Sequence, residues 1–127
     1  MASELILVID DHPQNLKLAR VLLSKHGYRV QTAADAQEAW ASLADETPRL
    51  ILMDVQLPGT DGLHLTRMLK GDPRYAHIPI IAVTAYAMKG DEERVRAAGC
   101  DGYVSKPLDL AALLQIVADR LGRPGGG

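Results

Sequence analysis

Short apolar runs rich in strand-forming residues alternate with longer stretches of helical periodicity, and the alternation repeats five times between Leu5 and Leu121. That order of elements is the pattern of a parallel sheet carrying helices on its faces. Residues 5–9, 50–53 and 80–83 are continuous apolar runs, as expected of central strands covered on both sides. Residues 28–32 alternate apolar with polar, and residues 103–105 are a short run, so both are expected at the edges. Pro13 suits the first turn of a helix that ends near Gly27, and Asp35 with Glu38 resembles a capping box. The last helix has Asp109 as its expected N-cap and Leu110, Leu113, Leu114, Val117 and Leu121 on one face. That stripe reads as core. The architecture expected is a three-layer α/β sandwich.

The chain of 127 residues is the size of one domain. A single domain over residues 4–121 is expected, followed by a flexible, glycine-rich tail at 122–127. Hydrophobic residues make up 47% and charged residues 24%, which suits a chain that folds unaided. A net charge of −2 offers no footprint for wrapping nucleic acid or an anionic membrane, both of which need clustered Lys and Arg. Cys100 is the only cysteine, so neither an internal disulfide nor a cysteine-based zinc cage can form. There is no bilayer-spanning apolar run and no secretory signal, and a cytoplasmic location is expected.

In an open parallel sheet, ligands bind beyond the carboxyl ends of the strands. The polar residues gather there: Asp10 and Asp11 follow the first apolar run, Asp54 the third, Thr84 the fourth and Lys106 the fifth. One Asp after a strand is usually a turn former or a helix cap, but that explanation does not cover five reactive side chains on one edge. Carboxylates about 5 Å apart repel by roughly 3 kcal/mol per pair at an effective dielectric near 20. Lys106 can supply one compensating charge and a hard divalent ion two more. Magnesium suits the set best, since it takes one or two carboxylates and completes its octahedron with water and phosphate oxygens. A phosphoryl group is implied.

The acidic pair in VIDD, the central MDVQLPGTDG, the IIAVTA that ends in Thr84 and Ala85, and the YVSKP containing Lys106 and Pro107 occur in that order. With them, the sequence resembles the receiver domains of two-component response regulators over nearly its whole length. AMKGDEERVRAAGCDGY suggests standalone receivers of the cell-cycle kind and the receivers appended to hybrid sensor kinases. The resemblance implies a flavodoxin-like (βα)5 fold with strand order 2-1-3-4-5. It implies that Asp54 is the phosphorylation site, taking phosphate from a kinase phosphohistidine. Asp10, Asp11, Asp54 and the backbone carbonyl of Gln56 would hold Mg2+. Lys106 would pair with Asp54 and then with the phosphate, aimed by a cis bond to Pro107. Thr84 would donate its hydroxyl to a phosphoryl oxygen, small Ala85 would leave the phosphate reachable, and Thr84 and Tyr103 would form the switch. The partners implied are a sensor histidine kinase or phosphotransfer protein and a downstream protein target, with neither nucleic acid nor membrane. Output is expected through residues 89–98, the strand at Tyr103 and the final helix.

Two positions depart from the commoner pattern: Thr60 stands where many members have Met, and His12 follows the acidic pair. His12 reads as a solvated loop histidine and is given no site role. Trp40 reads as packing, His26, His64 and His77 as surface residues, and Cys100 as a buried or half-buried thiol. An alternative function is an aspartyl-phosphate hydrolase of the haloacid dehalogenase type, which also has a nucleophilic Asp after its first strand. It would need a second Asp two residues on, where His12 stands. A flavodoxin-like cofactor binder would need a Ser-, Thr- and Gly-rich loop in place of the acidic pair.

Overall fold

The computed structural model describes residues 4–57, 60–84, 89–105 and 110–121. The elements in chain order are β1 (Leu5–Ile9), α1 (Pro13–Lys25), β2 (Arg29–Ala33), α2 (Ala36–Asp45), β3 (Leu50–Asp54), β4 (Gln56–Leu57), β5 (Thr60–Asp61), α3 (Gly62–Lys70), β6 (Ile80–Thr84), α4 (Lys89–Ala97), β7 (Gly102–Ser105) and α5 (Leu110–Leu121). The main sheet is parallel throughout and runs β2-β1-β3-β6-β7, which is the 2-1-3-4-5 order of a flavodoxin-like fold. The three central strands β1, β3 and β6 are buried along their full length, because helices cover both faces.

Alternate residues of each strand face opposite sides. Ile6, Val8, Leu50, Leu52, Ile81 and Val83 point into a core shared with Leu23 of α1 and Leu113 and Val117 of α5. Leu7, Ile9, Ile51, Met53 and Ile80 point the other way, toward Leu43 of α2 and Leu65 and Leu69 of α3. Trp40 belongs to this second layer as packing, its ring 6.1 Å from that of Tyr75. His26, His64 and His77 are exposed, as expected.

The helix ends follow local chemistry. After α1, Gly27 has a φ of 94° that favours glycine, and the Tyr28 N–H reaches back to the Leu23 carbonyl at 3.1 Å. At α2, Asp35 Oδ1 accepts the Glu38 N–H at 2.8 Å, but the Glu38 carboxylate closes on the Ala34 N–H at 2.9 Å. The capping pair thus closes one residue earlier than the usual box, which returns to the cap's own N–H. The second strand begins at Arg29, one residue after the expected start, and Tyr28 turns into the core instead. The expected N-cap Asp109 and the tail at 122–127 lie outside the described residues. Leu113 and Val117 are fully buried, and Leu114 and Leu121 pack partly against them, so this part of the α5 stripe is core.

At the end of the sheet away from Asp54, Lys70 Nζ donates to the Ile78 carbonyl at 2.8 Å and to Asp101 Oδ2 at 2.9 Å. The same Asp101 oxygen accepts the Ile80 N–H at 2.8 Å. One lysine and one aspartate therefore join the end of α3, the start of β6 and the turn before β7. Among the described residues, no helix is long and apolar enough to cross a membrane.

Candidate functional site

The site is assembled by strand register. Ile9 of β1 pairs with Met53 of β3, so the next residues along the two strands, Asp10 and Asp54, lie side by side. Neighbouring strands stand about 4.8 Å apart. By alternation, Asp10 continues the row of Ile6 and Val8, and Asp54 that of Leu50 and Leu52, so both leave the sheet on the same side. Asp54 is only 1% exposed and Asp10 only 4%, whereas Asp11 lies at the rim and is exposed. One carboxylate oxygen from each of Asp10, Asp11 and Asp54, together with a ring nitrogen of His12, all lie within 4.8 Å of one another.

Backbone and side-chain donors orient the acids. Asp10 Oδ1 accepts the His12 N–H at 2.8 Å, and Asp10 Oδ2 accepts from Asn15 Nδ2 at 3.1 Å. Asp10 thus sits before the N-terminal end of α1, where the helix dipole favours negative charge. Asp54 Oδ1 accepts the Gln56 N–H at 3.0 Å. The chain then makes a two-residue antiparallel ladder, β4 with β5, before Asp61 Oδ1 caps α3 by accepting the Leu63 N–H at 2.8 Å. Gly62 is packed directly beneath: a Cβ there would lie 2.0 Å from the Asp54 carbonyl oxygen, and its own N–H donates to the Val55 carbonyl at 2.8 Å.

His12 lies closer to the acids than its reading as a solvated loop residue requires. It is solvated, its side chain 62% exposed, yet its Nδ1 stands 3.1 Å from Asp10 Oδ1 and 3.1 Å from Asp11 Oδ1. The signal available in the sequence was Pro13: with proline as the first helical residue, His12 becomes the N-cap and is held in extended backbone beside the acids.

Thr84 is buried at the end of β6, one residue beyond Val83, the register partner of Asp54. Tyr103 pairs with Ala82, so it lies on the same sheet face as Thr84, two residues back along the neighbouring strand. It is half-buried and packs against the cluster of Leu63, Ala82, Val95 and Ala98. Lys106, Pro107 and Ala85 lie outside the described residues, as does the side chain of Thr60. Cys100 is half-buried, with Sγ 3.9 Å from Thr66 Oγ1; burial pushes its thiol up, and the Thr66 contact acts against that shift.

The donor set is hard oxygen at three of its four corners, which suits a magnesium-sized cation. Comparison with known proteins agrees in fold. The family described as the response regulator receiver domain matches residues 6–118. The polar-differentiation response regulator DivK of Brucella anthropi is 43% identical over 117 residues, 92% of this chain and 95% of that protein. The receiver domain of the sensor histidine kinase PA1611 from Pseudomonas aeruginosa, solved with a magnesium ion coordinated in its active site cleft, is 36% identical. It superposes with a TM-score of 0.85, covering 95% of this chain and 99% of that one. The chemotaxis protein CheY4 of Vibrio cholerae, 27% identical, gives a TM-score of 0.88 over 94% of this chain and the whole of the other.

Proposed function

Because the chain belongs to the response regulator receiver domain family, we propose that it acts as the phosphoacceptor of a two-component phosphorelay with Asp54 as the residue phosphorylated. The observation that carries the assignment is the convergence of Asp10, Asp11 and Asp54 at the ends of two adjacent central strands, with Asp54 at its floor. A receiver implies a cognate histidine kinase. One carboxylate oxygen of Asp54 attacks the phosphorus of the kinase phosphohistidine; the new bond is P–O, the bond broken is P–N, and the imidazole leaves with the electron pair. Asp10, Asp11, Asp54 and the Gln56 carbonyl are the residues assigned to magnesium. When bound, that ion neutralises the charge gathering on the phosphoryl oxygens. Phosphoryl transfer asks mainly for such positioning and neutralisation. Lys106 is assigned the second positive charge, with Pro107 orienting it. The same reading assigns the protein to the cytoplasm with its kinase.

Intact-mass measurement tests this most directly. Incubation with acetyl phosphate and Mg2+ is expected to add one phosphoryl group, and chelation of the metal or Asp11→Ala is expected to slow the addition by at least about tenfold, in line with loss of a charge-neutralising partner. Labelling that proceeds at the wild-type rate under chelation would reject the metal assignment.

Signalling is assigned to Thr84 and Tyr103. Phosphate on Asp54 draws the Thr84 hydroxyl toward it, and Tyr103, on the same face, turns into the space released. Phosphorylation shifts the balance only as far as the phosphoryl group interacts more favourably with the second state than with the first. Thr84→Ala is therefore expected to accept phosphate but to leave the Tyr103 amide signal unmoved when beryllofluoride and Mg2+ are added. A Tyr103 shift equal to that of the wild type would take Thr84 out of the switch. The surface that changes, around α4, β7 and α5, is assigned to a downstream protein target. The hydrolase alternative draws no support from the site, since the position two residues beyond Asp10 holds an imidazole and the matched family is the receiver.

A further inference from the structure

We infer that His12 is a metal-selecting residue, its Nδ1 joining the carboxylates of Asp10 and Asp11 in a mixed nitrogen and oxygen face that favours late first-row divalent ions over magnesium. The inference rests on the reading of the acidic cluster as a metal site. It goes beyond that reading by adding an imidazole ligand and a preference among ions.

The distances carry it. Two ligands at right angles on an octahedral ion, with bonds of about 2.1 Å, stand about 3.0 Å apart, and two opposite ligands about 4.2 Å. His12 Nδ1 is 3.1 Å from Asp10 Oδ1 and 3.1 Å from Asp11 Oδ1. All four donor atoms, including that of Asp54, fall within 4.8 Å of one another. The two His12 separations are those of neighbouring corners of one coordination shell, while a bound ion would have to draw in the more widely spaced donors of the set.

Local structure holds the backbone that carries the ring. The His12 carbonyl accepts from the Asn15 and Leu16 N–H groups at 3.0 and 3.2 Å, its N–H donates to Asp10 Oδ1, and Pro13 fixes the next residue. Asn15 holds Asp10 Oδ2, which leaves Oδ1 on the His12 side. The ring is largely exposed, so Nε2–H can face water while the Nδ1 lone pair faces inward.

The chemistry then discriminates. Mg2+ is bound through oxygen and keeps several of its waters, whereas neutral imidazole is a good ligand for nickel, cobalt and zinc. His12 accordingly adds affinity for Ni2+ and little for Mg2+. The same 3.1 Å separations also suit an imidazole N–H donating to a carboxylate, and a role confined to that hydrogen bond would leave nitrogen outside the coordination shell.

Two measurements on the full chain separate these. Pulsed electron paramagnetic resonance of the Mn2+-loaded protein is expected to show imidazole nitrogen coupling that disappears in His12→Asn. Calorimetric titration is expected to show the ratio of Ni2+ to Mg2+ affinity falling about tenfold or more in the same variant. Asp11→Ala serves as the locator, since it removes binding at the cluster and leaves the exposed His26, His64 and His77 in place. Nitrogen coupling absent from the wild type, or an affinity ratio equal in wild type and His12→Asn, overturns the role of His12 while leaving the acidic site intact. Binding of both ions that is insensitive to Asp11→Ala overturns the metal site itself, and His12 with it.

Discussion

Asp54→Asn is expected to eliminate phosphorylation by acetyl phosphate, with no mass increase at any Mg2+ concentration. The substitution keeps the shape of the side chain. The amide oxygen can still accept the Gln56 N–H, which reaches Asp54 Oδ1 at 3.0 Å. What it removes is the carboxylate oxygen assigned to attack phosphorus and one of the three clustered carboxylates. At 1% exposure, Asp54 places its carboxyl beside those of Asp10 and Asp11, and two carboxylates about 5 Å apart repel by roughly 3 kcal/mol at an effective dielectric near 20. Loss of labelling should therefore come with a urea midpoint no lower than that of the wild type. That combination distinguishes a lost nucleophile from a lost fold. Phosphate appearing on another residue of the variant at the wild-type rate would move the acceptor elsewhere.

Gly62→Ala is expected to be the most damaging single-methyl change near the site. The added carbon would lie 2.0 Å from the Asp54 carbonyl oxygen, 2.9 Å from its carbonyl carbon and 2.9 Å from the Val55 Cα. All three are backbone atoms at the end of β3, so no rotamer change relieves the contact. Either α3 or the strand end must retreat, at a cost of about 3 kcal/mol, the upper part of the range for overpacking. The phosphorylation rate of the molecules still folded should also fall, by about a hundredfold if Asp54 is displaced by about 1 Å. Urea denaturation and initial labelling rates at low temperature read the two effects separately. A variant matching wild type in both would mean that the helix start has slack that the contact distances deny.

The sheet was legible because its signal is redundant. Residues 50–53 and 80–83 are apolar at every position, as a strand covered on both faces requires, and within the repeated alternation with helical stretches their carboxyl ends locate Asp54 and Thr84. The hairpin of β4 and β5 had no comparable signal, since two-residue strands are too short to show a period. The start of α3 was hidden for a related reason: Asp61 and Gly62 read equally well as a turn, and only the close approach of Gly62 to Asp54 reveals the packing. His12 looks bland in the sequence because an exposed loop histidine carries no pattern that marks a site. A rim residue can be both exposed and part of a site, and the 3.1 Å contacts of His12 with Asp10 and Asp11 keep that open to test.

The Lys70 and Asp101 junction gives the molecule a mechanical asymmetry. Gly99, at a φ of 105°, ends the segment after α4, and Lys70 Cγ lies 3.0 Å from where a Cβ on Gly99 would sit. Two residues later Asp101 is anchored to both Lys70 and Ile80. The C-terminal end of α4 is thus tethered at the rear of the sheet, beside a pivot residue, while its N-terminal end points toward the edge that carries Thr84. A displacement of α4 that left this junction intact would be larger toward Lys89 than at Ala98, as for a lever hinged at its rear end.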